Sequence, residues 1–106
     1  MARTLITVPK AAKRGEIIEI RTLIAHPMET GHRSDSEGRR LPRDILRRFV
    51  CHYGDEVVFE AELFPAISAN PYLVFTTVAV ESGTLRFTWE GDNGFAQTET
   101  AEIAVT

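Results

Sequence analysis

Residues 46–64 read LRRFVCHYGDEVVFEAELF, and this stretch decides the fold. Apolar and polar side chains alternate with a period of two on both sides of Gly54-Asp55, a pair of residues typical of a tight turn. The stretch therefore predicts two half-buried antiparallel strands, Leu46–Tyr53 and Glu56–Phe64. The side chains predicted to point inward are Phe49, Cys51, Tyr53, Val57, Phe59, Ala61 and Leu63.

The same alternation predicts five further strands, at Leu5–Val8, Glu16–Ala25, Tyr72–Val80, Thr84–Glu90 and Phe95–Val105. In Glu16–Ala25 the side chains predicted to point inward are Ile18, Ile20, Thr22 and Ile24. In Thr84–Glu90 they are Leu85, Phe87 and Trp89. Tyr72–Val80 is apolar on both faces, which is typical of a central strand. Asp92-Asn93-Gly94 predicts a hairpin turn, and no segment has the apolar spacing of a helix.

Seven short strands in 106 residues predict an all-β, immunoglobulin-like β-sandwich, with residues 1–106 as a single domain. Cys51 is the only cysteine, so the domain has no disulfide. The connection between the predicted strands Glu56–Phe64 and Tyr72–Val80 is too long for a tight hairpin, and we expect it to cross between the sheets.

The charge is unevenly distributed along the chain. The net charge is −3, yet 11 of the 12 basic residues precede Gly54, many of them in the cluster Arg39–Arg48. Such a cluster steers an acidic partner or forms a solvated face. The negative net charge and the lack of aromatic residues among the arginines argue against nucleic-acid binding.

No apolar stretch approaches the ~20 residues that a bilayer requires. The first residues also lack the apolar core of a signal peptide. Three alternatives remain open: a cytoplasmic protein, a trimmed signal, or export on the signal of another protein.

The stretch His26-Pro27-Met28-Glu29-Thr30-Gly31-His32 has the composition of a metal site. His26, Met28 and His32 could bind copper. Together with Cys51 and His52 they resemble the set of ligands at the iron site of superoxide reductases. That iron site uses four histidines and a cysteine, whereas this sequence has three histidines. Cys51 and His52 are also adjacent on a strand and point to opposite faces. The alternative is a loop whose Met28 offers an adaptable apolar contact.

Catalytic motifs are absent from the sequence. Cys51 lies on the predicted inward face, which favours a small buried side chain over a nucleophile. No phosphate loop, acid–base pair or serine triad motif is present. A second unusual stretch, Ala66–Tyr72, belongs to an uncharged segment and indicates either a contact surface or a loop tucked against the sandwich.

Several segments resemble the SoxZ family, the partner subunit of the thiosulfate-oxidation carrier SoxYZ. They match in order along essentially the whole chain: IAHPMETG (24–31), PRDI (42–45), ANPYLVFTTVAVESG (69–83), FTW (87–89) and TET (98–100). Cys51 stands where the family pattern leads us to expect an aliphatic residue.

The resemblance implies an immunoglobulin-like subunit that is not an enzyme and needs no cofactor. It implies a heterodimer with SoxY, whose Gly-Gly-Cys-Gly-Gly arm holds sulfur intermediates on its cysteine; no such segment occurs in this sequence. It also implies transient contacts with other Sox enzymes, and a periplasmic location reached by export with SoxY.

Within that resemblance, we expect one sheet face or an edge strand to dock on SoxY, with the strand Phe95–Val105 as a candidate edge. The residues predicted to contact partners are His26, Pro27, Met28, Glu29, Thr30, Gly31, Asn70, Pro71 and Tyr72, with Met28 and Tyr72 as anchors. Expressed alone, such a chain is expected to form a homodimer through its uncovered docking face.

Overall fold

Two β-sheets pack face to face in the computed structural model, which describes residues 1–106. The eight strands are β1 (Thr4–Thr7), β2 (Ala11–Ala12), β3 (Ile17–Ile24), β4 (Leu46–Tyr53), β5 (Glu56–Glu62), β6 (Tyr72–Val78), β7 (Gly83–Gly91) and β8 (Ala96–Val105). One sheet has the order β1-β3-β6 and the other β2-β8-β7-β4-β5. The predicted all-β sandwich without a disulfide is confirmed. No helix has the length and apolar character needed to cross a bilayer.

The core lies between the sheets and is centred on Phe49 of β4. Its ring lies 5.2 Å from that of Trp89, between centroids, and 6.0 to 6.4 Å from the rings of Phe59, Phe75 and Phe87. These residues point inward because side chains alternate along each strand. The predicted inward faces of β3, β4 and β7 are confirmed by the near-complete burial of their apolar side chains.

The connection from β5 to β6 crosses from one sheet to the other, as predicted. Both strands are edge strands, and Phe59 of β5 stacks on Phe75 of β6 with a centroid distance of 4.3 Å. This aromatic stack closes one side of the sandwich. The prediction that the segment Tyr72–Val80 forms a central strand is therefore wrong: β6 pairs only with β3.

A bulge between Cys51 and His52 shifts the register of β4 against β5. Cys51 pairs with Phe59, but His52 pairs with Val57, which leaves Val58 as the extra residue. Val57 is consequently exposed and Val58 packs against the core. The prediction that Val57 points inward is wrong for this reason.

The two-residue strand β2 was not predicted, because Ala11-Ala12 is too short to show alternation. It pairs in parallel with Ala104 and Val105 of β8. The candidate edge of β8 is thus covered at this end, and the rest of that edge has no neighbouring strand. The predicted turn before β8 is confirmed, since Asn93 and Gly94 have φ angles of 61° and 74°.

The long loop between β3 and β4 folds into a projecting finger, which we define as Glu29–Asp44. The N–H groups of Glu29 and Asp44 each donate to the carbonyl of the other, at 2.8 and 2.7 Å. Nearer the tip, the N–H of Leu41 donates to the carbonyl of Arg33 at 2.8 Å. All hydrogen bonds of residues 30–41 remain within the finger. The longest dimension of the chain is 59 Å, against 21 and 19 Å for the others.

Candidate partner-binding surface

The three-stranded sheet carries an apolar surface on its outer side, which we call the outer face. Because Ile18, Ile20 and their alternate neighbours in β3 are buried, the residues between them point away from the core. Strand register places ten side chains on this face: Leu5, Thr7, Ile17, Glu19, Arg21, Leu23, Tyr72, Val74, Thr76 and Val78. Five of the ten are large apolar residues that are 44% to 69% exposed: Leu5, Ile17, Tyr72, Val74 and Val78.

The five-stranded sheet presents a different outer side, because its polar side chains pair with one another. Arg48 contacts Glu60 at 3.1 Å and Glu90 at 3.0 Å. Thr84 donates to Glu102 at 2.7 Å. Contiguous exposed apolar surface is uncommon on a chain that functions alone, so the outer face of the smaller sheet is the stronger candidate for contact with a partner.

A shallow cleft of about 320 Å³ continues the outer face at one end. It is lined by Arg3, Thr4, Leu5, Leu23, Ala25 and Asn70. Leu5 and Leu23 belong to the outer face, whereas Asn70 belongs to one of the two loops predicted to bind partners. The cleft therefore joins the sheet surface to the predicted loops.

The two predicted loops lie side by side. The backbone N–H of His26 donates to Oδ1 of Asn70 at 3.0 Å, and the N–H of Asn70 donates to the carbonyl of His26 at 2.8 Å. Of the nine predicted residues, Pro27, Asn70 and Tyr72 are exposed. Tyr72 projects from the outer face, while Pro71 is buried.

Met28 is buried, being only 5% exposed, so the expectation that it presents an exposed apolar contact is wrong. Its φ angle of 49° lies outside the range of a strand, and period-two alternation does not govern its direction. The side chain packs in the core, where Sδ accepts the N–H of Leu46 at 3.2 Å. Met28 thus anchors the base of the finger to β4.

The proposed metal ligands do not form a site. Nδ1 of the buried His26 accepts the N–H of Met28 at 3.0 Å, and the Met28 sulfur is also engaged by a backbone N–H. His32 is exposed on the finger. No three His, Cys, Asp or Glu side chains lie close enough together to hold a metal ion. The structure therefore gives no support to the metal alternative.

The remaining predicted residues, at the base of the finger, make contacts within the chain. Glu29 forms an ion pair with Arg33 at 2.6 Å, and Oγ1 of Thr30 accepts the N–H of His32 at 3.2 Å. Gly31 has a φ angle of 86°, and an added Cβ would lie 3.0 Å from Cβ of Arg43. These contacts give the segment a structural role.

Most of the basic cluster is neutralised by acidic side chains. Arg43 makes two hydrogen bonds to Asp92, at 2.8 and 2.9 Å, and Arg47 lies 3.4 Å from the same carboxylate. The hydrogen bond from Arg43 is the main reason why the pKa of Asp92 falls below its usual value. Arg39 pairs with Asp35 on the finger. The arginines of the cluster are thus mostly paired with acidic side chains that lie near them in the structure.

The family model described as sulphur oxidation protein SoxZ matches residues 6–102 of this sequence. The chain belongs to the SoxZ family. This membership confirms the resemblance inferred from the sequence segments and covers nearly the whole chain. No curated protein matches the chain at a significant level.

Solved structures share the fold of this SoxZ-family chain at low sequence identity. The sulfur carrier protein SoxY from Chlorobium limicola f. thiosulfatophilum is 13% identical, with a TM-score of 0.68 over 97% of this chain and 78% of that one. The superoxide reductase (neelaredoxin) from Ignicoccus hospitalis is 17% identical, with a TM-score of 0.74 over 99% of this chain and 82% of that one. At these identities the likeness establishes the sandwich fold alone.

The signal that the sequence offered for the outer face was the apolar character of β6 on both of its sides. That pattern predicts a central strand, whereas β6 lies at the edge of its sheet. The sequence predicts Tyr72 as a contact residue but does not predict Leu5, Ile17, Val74 or Val78. Their common face becomes visible only once β1, β3 and β6 are known to be neighbours.

Cys51 of this SoxZ-family chain is fully buried, and that burial raises the pKa of its thiol to about 12. Because the thiolate is the reactive form, we expect a thiol reagent at neutral pH to modify native Cys51 at least about 100-fold more slowly than an exposed cysteine. A Ser36→Cys variant supplies an exposed thiol at the finger tip as an internal standard. Equal modification rates for Cys51 and the introduced thiol in the folded protein would contradict the expectation. Unfolding in urea should make the two rates equal.

Proposed function

We propose that this chain is a non-catalytic subunit of a sulfur carrier: it binds SoxY and helps to present the sulfur intermediates on the SoxY cysteine to the enzymes of the Sox system. Membership of the SoxZ family supports a role in sulfur oxidation. The observation that carries the proposal is the apolar outer face of the three-stranded sheet.

The outer face suits a permanent partner because its apolar side chains gain free energy when they leave water, at about 25 cal/mol per Å². A stable heterodimer buries on the order of 800 Å² on each partner. Three strands spaced about 4.8 Å apart form a narrow surface, so we propose that the interface extends over the cleft beside Asn70. Tyr72 lies beside Leu23, which lines the cleft, and would then act as an amphipathic anchor where the sheet surface meets the cleft.

SoxY is a suitable occupant because the solved SoxY structure has the same sandwich fold. Two sandwiches can stack sheet upon sheet with their strands roughly aligned. We propose this arrangement for the heterodimer, in the periplasm and after export with SoxY. The exposed loop residues Pro27 and Asn70 would border the interface and meet the enzymes that act on the SoxY arm.

The proposal assigns the sulfur-bearing thiol to SoxY and gives this chain no covalent step. The burial of Cys51 and its raised pKa support that assignment, since a thiol that must accept sulfur has to ionise and reach its donor. The pairing of most arginines in the basic cluster also favours a scaffold over an anion-binding site.

The variant Val74→Glu tests the docking surface. Val74 is exposed on the outer face beside Arg21, and a carboxylate there would be buried without adequate hydration in the heterodimer. We expect the affinity for SoxY to fall at least about 100-fold, measured by calorimetry or by co-purification with tagged SoxY.

The matched control is Thr100→Glu, which adds the same charge to an exposed strand position on the other sheet. Thr100 lies opposite Arg86 just as Val74 lies opposite Arg21, but it is on the other sheet, so its carboxylate stays in water when SoxY covers the outer face. The control should bind SoxY as the parent chain does. If Val74→Glu is folded by circular dichroism and binds SoxY as tightly as the control, docking through the outer face is wrong.

A further inference from the structure

We infer that, in the absence of SoxY, two copies of this chain pair through their outer faces in antiparallel orientation, with Glu19 of each copy against Arg21 of the other. The pairing involves only residues of this chain. It can therefore hold whether or not SoxY binds to the same face.

The charges of the outer face point to this arrangement. Glu19 and Arg21 are its only charged residues, and both lie on the central strand β3, with Arg21 Nε 2.6 Å from Glu19 Oε1. Ile17 precedes this pair on the same face and Leu23 follows it. Along β3 the face thus reads apolar, acidic, basic, apolar, a pattern that becomes self-complementary when one copy is reversed.

A two-fold axis that brings two such faces together lies in the plane of the interface, either perpendicular or parallel to the strands. The perpendicular axis, at the level of Ile20, places one β3 over the other in the opposite direction. Glu19 then faces Arg21 of the second copy, and Ile17 faces its Leu23. An axis parallel to the strands would instead place Glu19 on Glu19 and Arg21 on Arg21, which like-charge repulsion disfavours.

The neighbouring strand β6 obeys the same symmetry. Tyr72 lies beside Leu23, and Val78 lies beside Ile17. Reversal therefore places Tyr72 against Val78 of the second copy and Val74 against its Thr76. On β3 and β6, apolar residues thus meet apolar residues or threonine across the interface, as sheets that stack about 10 Å apart require.

The two central ion pairs determine orientation more than affinity. An exposed ion pair contributes little on its own, and most of the attraction comes from the apolar side chains. Two like charges forced together in a partly dehydrated interface are clearly unfavourable, so the pairing is sensitive to a reversal of either charge.

Sedimentation equilibrium of the full chain without SoxY tests the inference at concentrations up to about 100 µM. We expect the parent chain to form dimers, and the variants Glu19→Arg and Arg21→Glu each to associate at least about 100-fold more weakly. The double variant should regain the dimer, because it exchanges the two charges. A 1:1 mixture of the single variants should form a heterodimer, since one copy then presents two arginines to two glutamates.

The mixture also controls for misfolding, because a variant that fails to fold cannot regain association by mixing. A parent chain that remains monomeric at about 100 µM would overturn the inference. So would a parent dimer whose single variants are not restored by mixing. A restored heterodimer together with unimpaired SoxY binding by Val74→Glu would leave the pairing correct and refute SoxY docking on this face.

Discussion

Replacing Phe49 with alanine is expected to lower the free energy of unfolding by about 3–5 kcal/mol. Phe49 is fully buried, and its ring contacts four aromatic rings from three other strands in both sheets. The cavity left by the ring would be enclosed by both sheets and could collapse only in part. A domain of this size has a total stability of about 5–15 kcal/mol, so the variant would be marginally stable.

Urea denaturation followed by far-UV circular dichroism measures this effect without relying on Trp89, which contacts the mutated ring. The matched control is Phe64→Ala, because Phe64 is 58% exposed. It should change the unfolding free energy by no more than about 0.5 kcal/mol. Similar losses for the two variants would mean that Phe49 is not the centre of the core.

Replacing Gly91 with alanine is expected to destabilise the domain by about 3 kcal/mol or more, or to prevent folding. An added Cβ would lie 2.6 Å from the carbonyl oxygen of Ile45 and 3.1 Å from Cα of Leu46. Both are backbone atoms of the segment that begins β4, so relief would require the pairing of β4 with β7 to shift. Gly91 has a φ angle of −154°, and glycine is needed there for space alone.

Gly83 supplies the control, since it lies at the opposite end of the same strand. An added Cβ would be 3.9 Å from the ring of Tyr53, an ordinary contact. Gly83→Ala should therefore differ from the parent by less than about 1 kcal/mol in the same urea titration. Equal urea midpoints for the two variants would show that the backbone at Ile45 and Leu46 can move aside without a loss of stability.

Much of the fold could be predicted because alternation is a local property of each strand. In β3 and β7 the inward faces follow directly from residues such as Ile20 and Phe87, which are completely buried. The turn at Asn93 could be predicted for the same local reason, since a positive φ angle favours asparagine and glycine.

Features that depend on neighbouring strands could not be predicted from the sequence. The bulge opposite Val57 arises from the register between β4 and β5. The edge position of β6 depends on the overall strand order. Met28 shows a third limit, because its left-handed backbone lies outside any strand and turns the side chain into the core.

The candidate site was predictable only in part. Tyr72 was recognised within an uncharged segment, but Leu5 and Ile17 are far from it in sequence and reach the same face through β1 and β3. The apolar character of β6 on both sides reflects two different environments: Phe75 faces the core of this chain, whereas Val74 faces outward. An edge strand with two apolar sides is thus a useful sign of a second, intermolecular burial.

The elongated shape of the chain has a consequence for its hydrodynamic behaviour. The chain is 59 Å long, whereas the ten residues of β8 span only about 33 Å at about 3.3 Å per residue. The radius of gyration is 16.2 Å, whereas a compact domain of this size would have about 13 Å. The monomer should diffuse slowly for its mass and elute early in gel filtration, at the position of a larger globular protein.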